Sequence, residues 1–240
     1  MMQDPTTTVP PLSDRAGVTG AVRVQILATE HWSLLATRGM TWNEMFSRTG
    51  MYLTVLSAAT VALALVAQAT DFGSGFRLFA LLVLPVVLVL GVGTQVRVGD
   101  ARAEDVWLVI GMNRLRRAYL ELAPELEPYF VTGHRDDVAG IMRTYMVEVL
   151  RTPGMATRIT PARILASTPV MVGVINAVVA GVLAALVAET MGAVTVVSAA
   201  AGLTAGLAYA VVLAAVPMRE IARMRREWRP IFPSPGSERR

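Results

Sequence analysis

The sequence predicts an all-α integral membrane protein with four transmembrane helices paired as two hairpins and cytoplasmic helices before the first span and between the hairpins. Three observations carry this. Of 240 residues, 54% are hydrophobic and 17% charged, with a mean hydropathy of +0.51, too apolar for an ordinary soluble domain of this length. Four stretches, Met51 to Ala69, Leu78 to Val96, Pro169 to Ala188 and Ala193 to Val216, reach the roughly 18 apolar residues that a helix needs to cross about 30 Å of hydrocarbon. None of the four contains Asp, Glu, Lys, Arg or His. Arginines gather on one side of the spans.

Residues 1–20 are rich in Thr, Pro and Asp and carry no apolar stretch that a signal peptidase would follow, so they read as a disordered tail. Residues 21–50 read as cytoplasmic or interfacial helices. Val24, Leu27, Leu34 and Leu35 recur at helical spacing, and Thr41-Trp42-Asn43-Glu44 has the form of a capping box, which predicts a fresh helix starting at Thr41. Trp42, Phe46 and Tyr52 then belong at the cytoplasmic interface, where rings meet both apolar and polar surroundings.

The first hairpin occupies 51–97, its spans joined by Thr70 to Arg77, where Gly and Ser leave room only for a tight turn. The second occupies 167–217 and turns at Glu189-Thr190-Met191-Gly192. Arg38 and Arg48 precede the first span, Arg97 and Arg102 follow the second, and Arg158 and Arg163 precede the third. Arg219, Arg223, Arg225 and Arg226 follow the fourth, whereas the two turns hold only Arg77. The positive-inside rule therefore places both termini and the central segment in the cytoplasm of a cell whose inner membrane the chain crosses. The basic residues 218–240 form a tail whose four arginines set topology and attract anionic headgroups at about 1 kcal/mol each. Its end, Pro230 to Arg240, reads as frayed.

The segment 98–166 is nearly neutral, so it reads as a packed module. Val106, Ile110, Leu115, Ala118, Tyr119 and Leu122 mark one helix, which Ala123-Pro124 should stop. A shorter one is expected over Asp136 to Leu150, with Ile141, Met142, Tyr145 and Val149 on one side. His134-Arg135-Asp136-Asp137 could hold a divalent cation, but two Asp after Gly133 most simply favour a helix N-terminus. Glu121, Glu125 and Glu127 face Arg114, Arg116 and Arg117 and could pair with them across the turn, the alternative being a solvated loop in which exposed pairs contribute only about 0–1 kcal/mol.

Within the spans, Gly173, Ala177 and Gly181 recur every fourth residue, as do Ser198, Gly202 and Gly206. Such stripes let helix backbones approach closely, either inside one hairpin or at an oligomer interface. Asn176 is the strongly polar residue deep in the third span, and it should seek a partner such as Thr204 or Tyr209, worth on the order of 0.6–2 kcal/mol. Thr54, Ser57 and Thr60 can bond their own helix carbonyls, and Pro85 could kink the second span.

All 22 basic residues are arginine, the coding pattern of a GC-rich bacterium. The pI near 10.1 accompanies a net charge of only +4, so nucleic acid is not the expected partner. Cysteine is absent, which excludes disulfides and thiolate chemistry. Phosphate loops, nucleophile elbows and zinc-binding helices are absent too, so neither a catalytic centre nor a cofactor is expected.

Glu30-His31-Trp32-Ser33-Leu34-Leu35-Ala36-Thr37-Arg38, continuing to Trp42-Asn43-Glu44, and Leu122-Ala123-Pro124-Glu125-Leu126-Glu127-Pro128-Tyr129-Phe130 resemble segments of actinobacterial four-span membrane proteins, a family with no assigned activity. The plan is also similar, more loosely, to two-span effector modules proposed to form pores. Uncharged spans disfavour active transport, since proton relays and voltage sensors place ionisable groups in the membrane. The expected function is a non-enzymatic assembly in the bilayer, either a homo-oligomeric passive channel or a scaffold whose cytoplasmic helices bind a partner protein.

Overall fold

The computed structural model describes residues 19–145 and 167–234, apart from the side chains of 214 and 216–227. All secondary structure among these residues is helical. Helix α1 is Gly20–Thr70 and α2 is Ser74–Leu122. A 3-10 helix, Pro124–Tyr129, and α3, Val138–Tyr145, follow; α4 is Thr168–Thr190 and α5 is Thr195–Glu227. Four helices are long and apolar enough to cross a membrane: α1, α2, α4 and the Thr195–Leu213 stretch of α5. The chain is that of a multi-pass membrane protein.

At 51 and 49 residues, α1 and α2 are each about 75 Å long at 1.5 Å per residue, more than twice the hydrocarbon thickness of about 30 Å. The fresh helix start expected at Thr41 is not there. Thr41 lies inside α1 and its Oγ1 donates to the Thr37 carbonyl at 3.1 Å, as hydroxyls in helix interiors do. Glu44 does not fold back on Thr41; it accepts from Arg97 Nη2 at 2.8 Å and from Arg48 Nε at 2.8 Å. Pro85 lies within an unbroken α2, and α2 ends at Leu122, where Pro124 was expected to stop it.

The chain forms two compact units. The first comprises Met1–Trp42, Arg102–Arg158 and Glu227–Arg240; the second comprises Asn43–Ala101 and Ile159–Arg226. The second unit has an apolar core of Tyr52, Ala80, Leu84, Val87, Val172, Val179 and Leu186, drawn from α1, α2 and α4. Helix α5 joins α4 through small residues. A Cβ on Gly181 would stand 2.8 Å from the Gly202 carbonyl, one on Gly202 would stand 2.7 Å from the Gly181 carbonyl, and one on Gly206 would stand 3.0 Å from the Ala177 carbonyl. Only glycine lets the backbones come this close, so dispersion between them replaces side-chain packing.

The connection between α1 and α2 is shorter than the eight residues expected. Asp71 and Phe72 both take left-handed backbone angles (φ 48° and 57°), and Gly73 N–H closes onto the Thr70 carbonyl at 2.9 Å. Asp tolerates that region; for Phe it is strained. Gly192, at φ +88°, serves the turn between α4 and α5. Arg77 lies 3.7 Å from Glu189, bringing the two connections together within the second unit.

Candidate functional site

The first unit is organised around three buried carboxylates, Asp105 on α2 and the adjacent Asp136 and Asp137. Asp105 is 3% exposed and receives four donated bonds. Arg38 supplies two, from Nε at 2.6 Å and Nη2 at 3.3 Å. Trp42 Nε1 adds one at 3.0 Å and the Tyr145 hydroxyl one at 2.6 Å. The Arg38 guanidinium also lies 5.9 Å from the centre of the Tyr145 ring. Burial by itself would push the Asp105 carboxyl up, but the bonds from Arg38, Tyr145 and Trp42 outweigh it and hold the group below the usual carboxylate range. Tyr145 is driven above the usual phenol range, first by burial and then by its bond to Asp105. An acid held ionised by fixed donors does not exchange protons near neutrality. Asp105 ties α1, α2 and α3 together.

The second carboxylate is Asp136, and it binds the C-terminal segment. Its side chain is fully buried, receives Arg114 Nε at 2.8 Å, and accepts the backbone N–H groups of Ile231 and Phe232 at 2.9 and 2.8 Å. Asp137 receives the Gly140 N–H at 2.8 Å, which makes it the N-cap of α3, and the Ser234 N–H at 2.7 Å. Arg135 completes the clasp by donating Nη1 to the Pro233 carbonyl at 2.8 Å. Burial opposes ionisation of Asp137, but Ser234 and Gly140 more than compensate and lower its carboxyl. Asn113 supports the loop from α2, donating to the Arg135 carbonyl at 2.8 Å while its Oδ1 accepts from Arg116 and Thr144 at 2.9 Å each.

Three expectations are corrected here. Residues 230–234 are not frayed, because three of their N–H groups meet buried carboxylates. Of the Asp pair, only Asp137 starts the helix; Asp136 points to the chain end. The signal available in the sequence was the pair itself, since two adjacent Asp with one capping role leave the other to be explained. The expected pairing of acids and arginines around Pro124 is also different: Arg117 meets Glu121 at 3.2 Å, but Arg114 goes to Asp136 and Arg116 to Asn113. His31 stacks on Tyr119 at 5.8 Å within the first unit, and its imidazole is lowered by burial and by Arg116.

In the second unit, Asn176 is completely buried. The Tyr52 hydroxyl donates to its Oδ1 at 2.6 Å, and its Nδ2 donates to the Tyr209 hydroxyl at 3.1 Å. Tyr52 is thus packed in the core of the second unit, 2% exposed. Thr204, the other expected partner, bonds carbonyls of its own helix, as do Thr54, Ser57 and Thr60. Gly91 leaves the room that the amide fills: a Cβ there would collide with Asn176 Oδ1. Gly173 faces Leu213, while Ala177, Gly181, Gly202 and Gly206 face one another between α4 and α5. Ser198 is buried, and its hydroxyl has no partner among the described residues. The side chains of Arg219, Arg223, Arg225 and Arg226 lie outside the described residues, as does the tail of residues 1–18.

No three His, Asp or Glu side chains gather as a metal-ligand set among the described residues. Among the described residues, Asp105, Asp136 and Asp137 each hold segments of the chain together. No family model, curated protein or solved structure matches this chain.

Proposed function

We propose that this protein is a non-enzymatic membrane scaffold or regulator whose first unit docks a partner protein on the cytoplasmic face of the inner membrane. The observation that carries this reading is an inversion of polarity in the first unit. Arg38, Asp105, Arg114, Asp136 and Asp137 are spent inward on one another and on the chain end, while Ile26, Trp32 and Met40 stand 60–72% exposed on α1. Trp107 and Met142 are also exposed. A unit that internalises charge and presents large apolar side chains has a surface suited to being covered.

The cytoplasmic assignment follows from the arginine asymmetry and from four spans arranged as two hairpins, a plan supported by the short connections and by Arg77 beside Glu189. The homo-oligomeric channel draws less support. Asn176 is consumed by two tyrosines, Thr54, Ser57, Thr60 and Thr204 bond their own helices, and the glycine stripes meet within one chain.

A photo-crosslinking amino acid at Trp32 or Met40 tests the proposal in cells. A common protein adduct from both positions, absent when the probe replaces lipid-exposed Leu65, is expected. Adducts with lipid alone would reject a protein partner. Proteoliposome conductance above that of empty vesicles would restore the channel.

A further inference from the structure

The clasp between Asp137 and the chain end leaves a cavity beside it. Its volume is about 180 Å³, and it is bounded by Gly133, His134, Arg135, Gly140, Arg143 and Ser234. Two arginines, a histidine and a serine are among the residues that line it, and none of the lining residues is acidic. Of the nearby carboxylates, Asp136 is bonded by Arg114 and two tail N–H groups and Asp137 by Gly140 and Ser234, while exposed Glu127 lies 3.8 Å from His134 Nε2 and would compete with an anion there. Among the described residues, Arg143 pairs with no carboxylate, and one Arg135 nitrogen is held by the Pro233 carbonyl.

The walls are fixed by backbone contact. A Cβ on Gly133 would strike the Gly140 carbonyl, and one on Gly140 would strike the Arg135 carbonyl. Loop and α3 are pressed together at two glycines, so the cavity is not a gap that the backbone could simply close.

We propose that this cavity binds a phosphate monoester, as the free anion or on a lipid headgroup. Arginine forks match tetrahedral oxyanions geometrically and form charge-assisted bonds to them. Ser234, carried on the clasped chain end, lines one side of the cavity and makes occupancy depend on the clasp. The site stands independently of the docking surface on α1.

His134 provides the readout. Burial, then Arg135, lowers its imidazole; Glu127 opposes, and Arg143 and Arg117 lower it further. A bound dianion should reverse part of that effect. The full chain, labelled at histidine in nanodiscs of neutral lipid, is titrated with inorganic phosphate by NMR, and H134Q assigns the resonance. A saturable shift is expected, with the His134 titration moving upward, and R143Q should weaken apparent affinity about tenfold, or 1.4 kcal/mol. The His31 resonance, stacked on Tyr119, verifies that the variant is folded. Replacing free phosphate by nanodiscs containing phosphatidate distinguishes the headgroup from the soluble anion, and a His134 shift on either arm supports the site. A response equal to that of chloride at matched ionic strength, or undiminished in R143Q, would overturn it.

Discussion

Replacing Asp136 by Ala should release the end of the chain from the first unit. Three donors converge on this buried carboxylate: Arg114 Nε at 2.8 Å, Ile231 N–H at 2.9 Å and Phe232 N–H at 2.8 Å. A hydrogen bond to a charged group contributes about 1.5–3 kcal/mol net. Two such bonds from the tail therefore stabilise its docking by at least about 3 kcal/mol. Arg114 is one-third exposed and can turn to water, so the loss of its partner adds less than the about 3–5 kcal/mol typical of fully buried pairs. At 1.4 kcal/mol per decade, 3 kcal/mol is about a hundredfold increase in local opening. Hydrogen exchange of Ile231 and Phe232 in nanodiscs reads this directly. D136A should accelerate both about a hundredfold and D136N by less, because the Asn carbonyl keeps one acceptor. Exchange as fast in the parent protein as in D136A would refute the reasoning, since no bond would then have been lost.

Two further outcomes are expected. G91A should destabilise the second unit by about 1–3 kcal/mol through overpacking, because the new methyl meets Asn176 and stands 2.9 Å from Tyr52; in an N176A background it should cost at least about 0.5 kcal/mol less, and additivity in lipid-based unfolding would contradict the contact. Glu44 is lowered from 4.5 to about 2 by its bonds from Arg97 and then Arg48. A depressed value means stabilisation that is complete above the unfolded value and lost as pH falls from about 4.5 towards about 2; E44Q should flatten apparent Tm over that window, and an unchanged acid profile would count against the pairing.

Much of the spanning architecture was legible because length and apolarity are local quantities. Each span is an uninterrupted run that no soluble fold would tolerate exposed, and Pro124 stops α2 through its missing N–H. The bond between Asn176 and Tyr209 was also foreseeable, since a lone amide in hydrocarbon must find a donor or acceptor. The continuity of α1 was not. Thr41-x-x-Glu44 satisfies the capping pattern, but Glu44 finds two arginines instead, one of them on α2.

What the sequence alone determined is the solvent, the four apolar helices and the side of the chain on which arginine accumulates, because these follow from composition summed along a single segment. Tertiary structure decided the rest. Asp105 is 67 residues from Arg38, and Asp136 is 96 residues from Phe232. A buried carboxylate must be met by donors from somewhere, but many arginines and every backbone N–H are eligible. Only the folded packing of helices selects which of them comes within 3 Å.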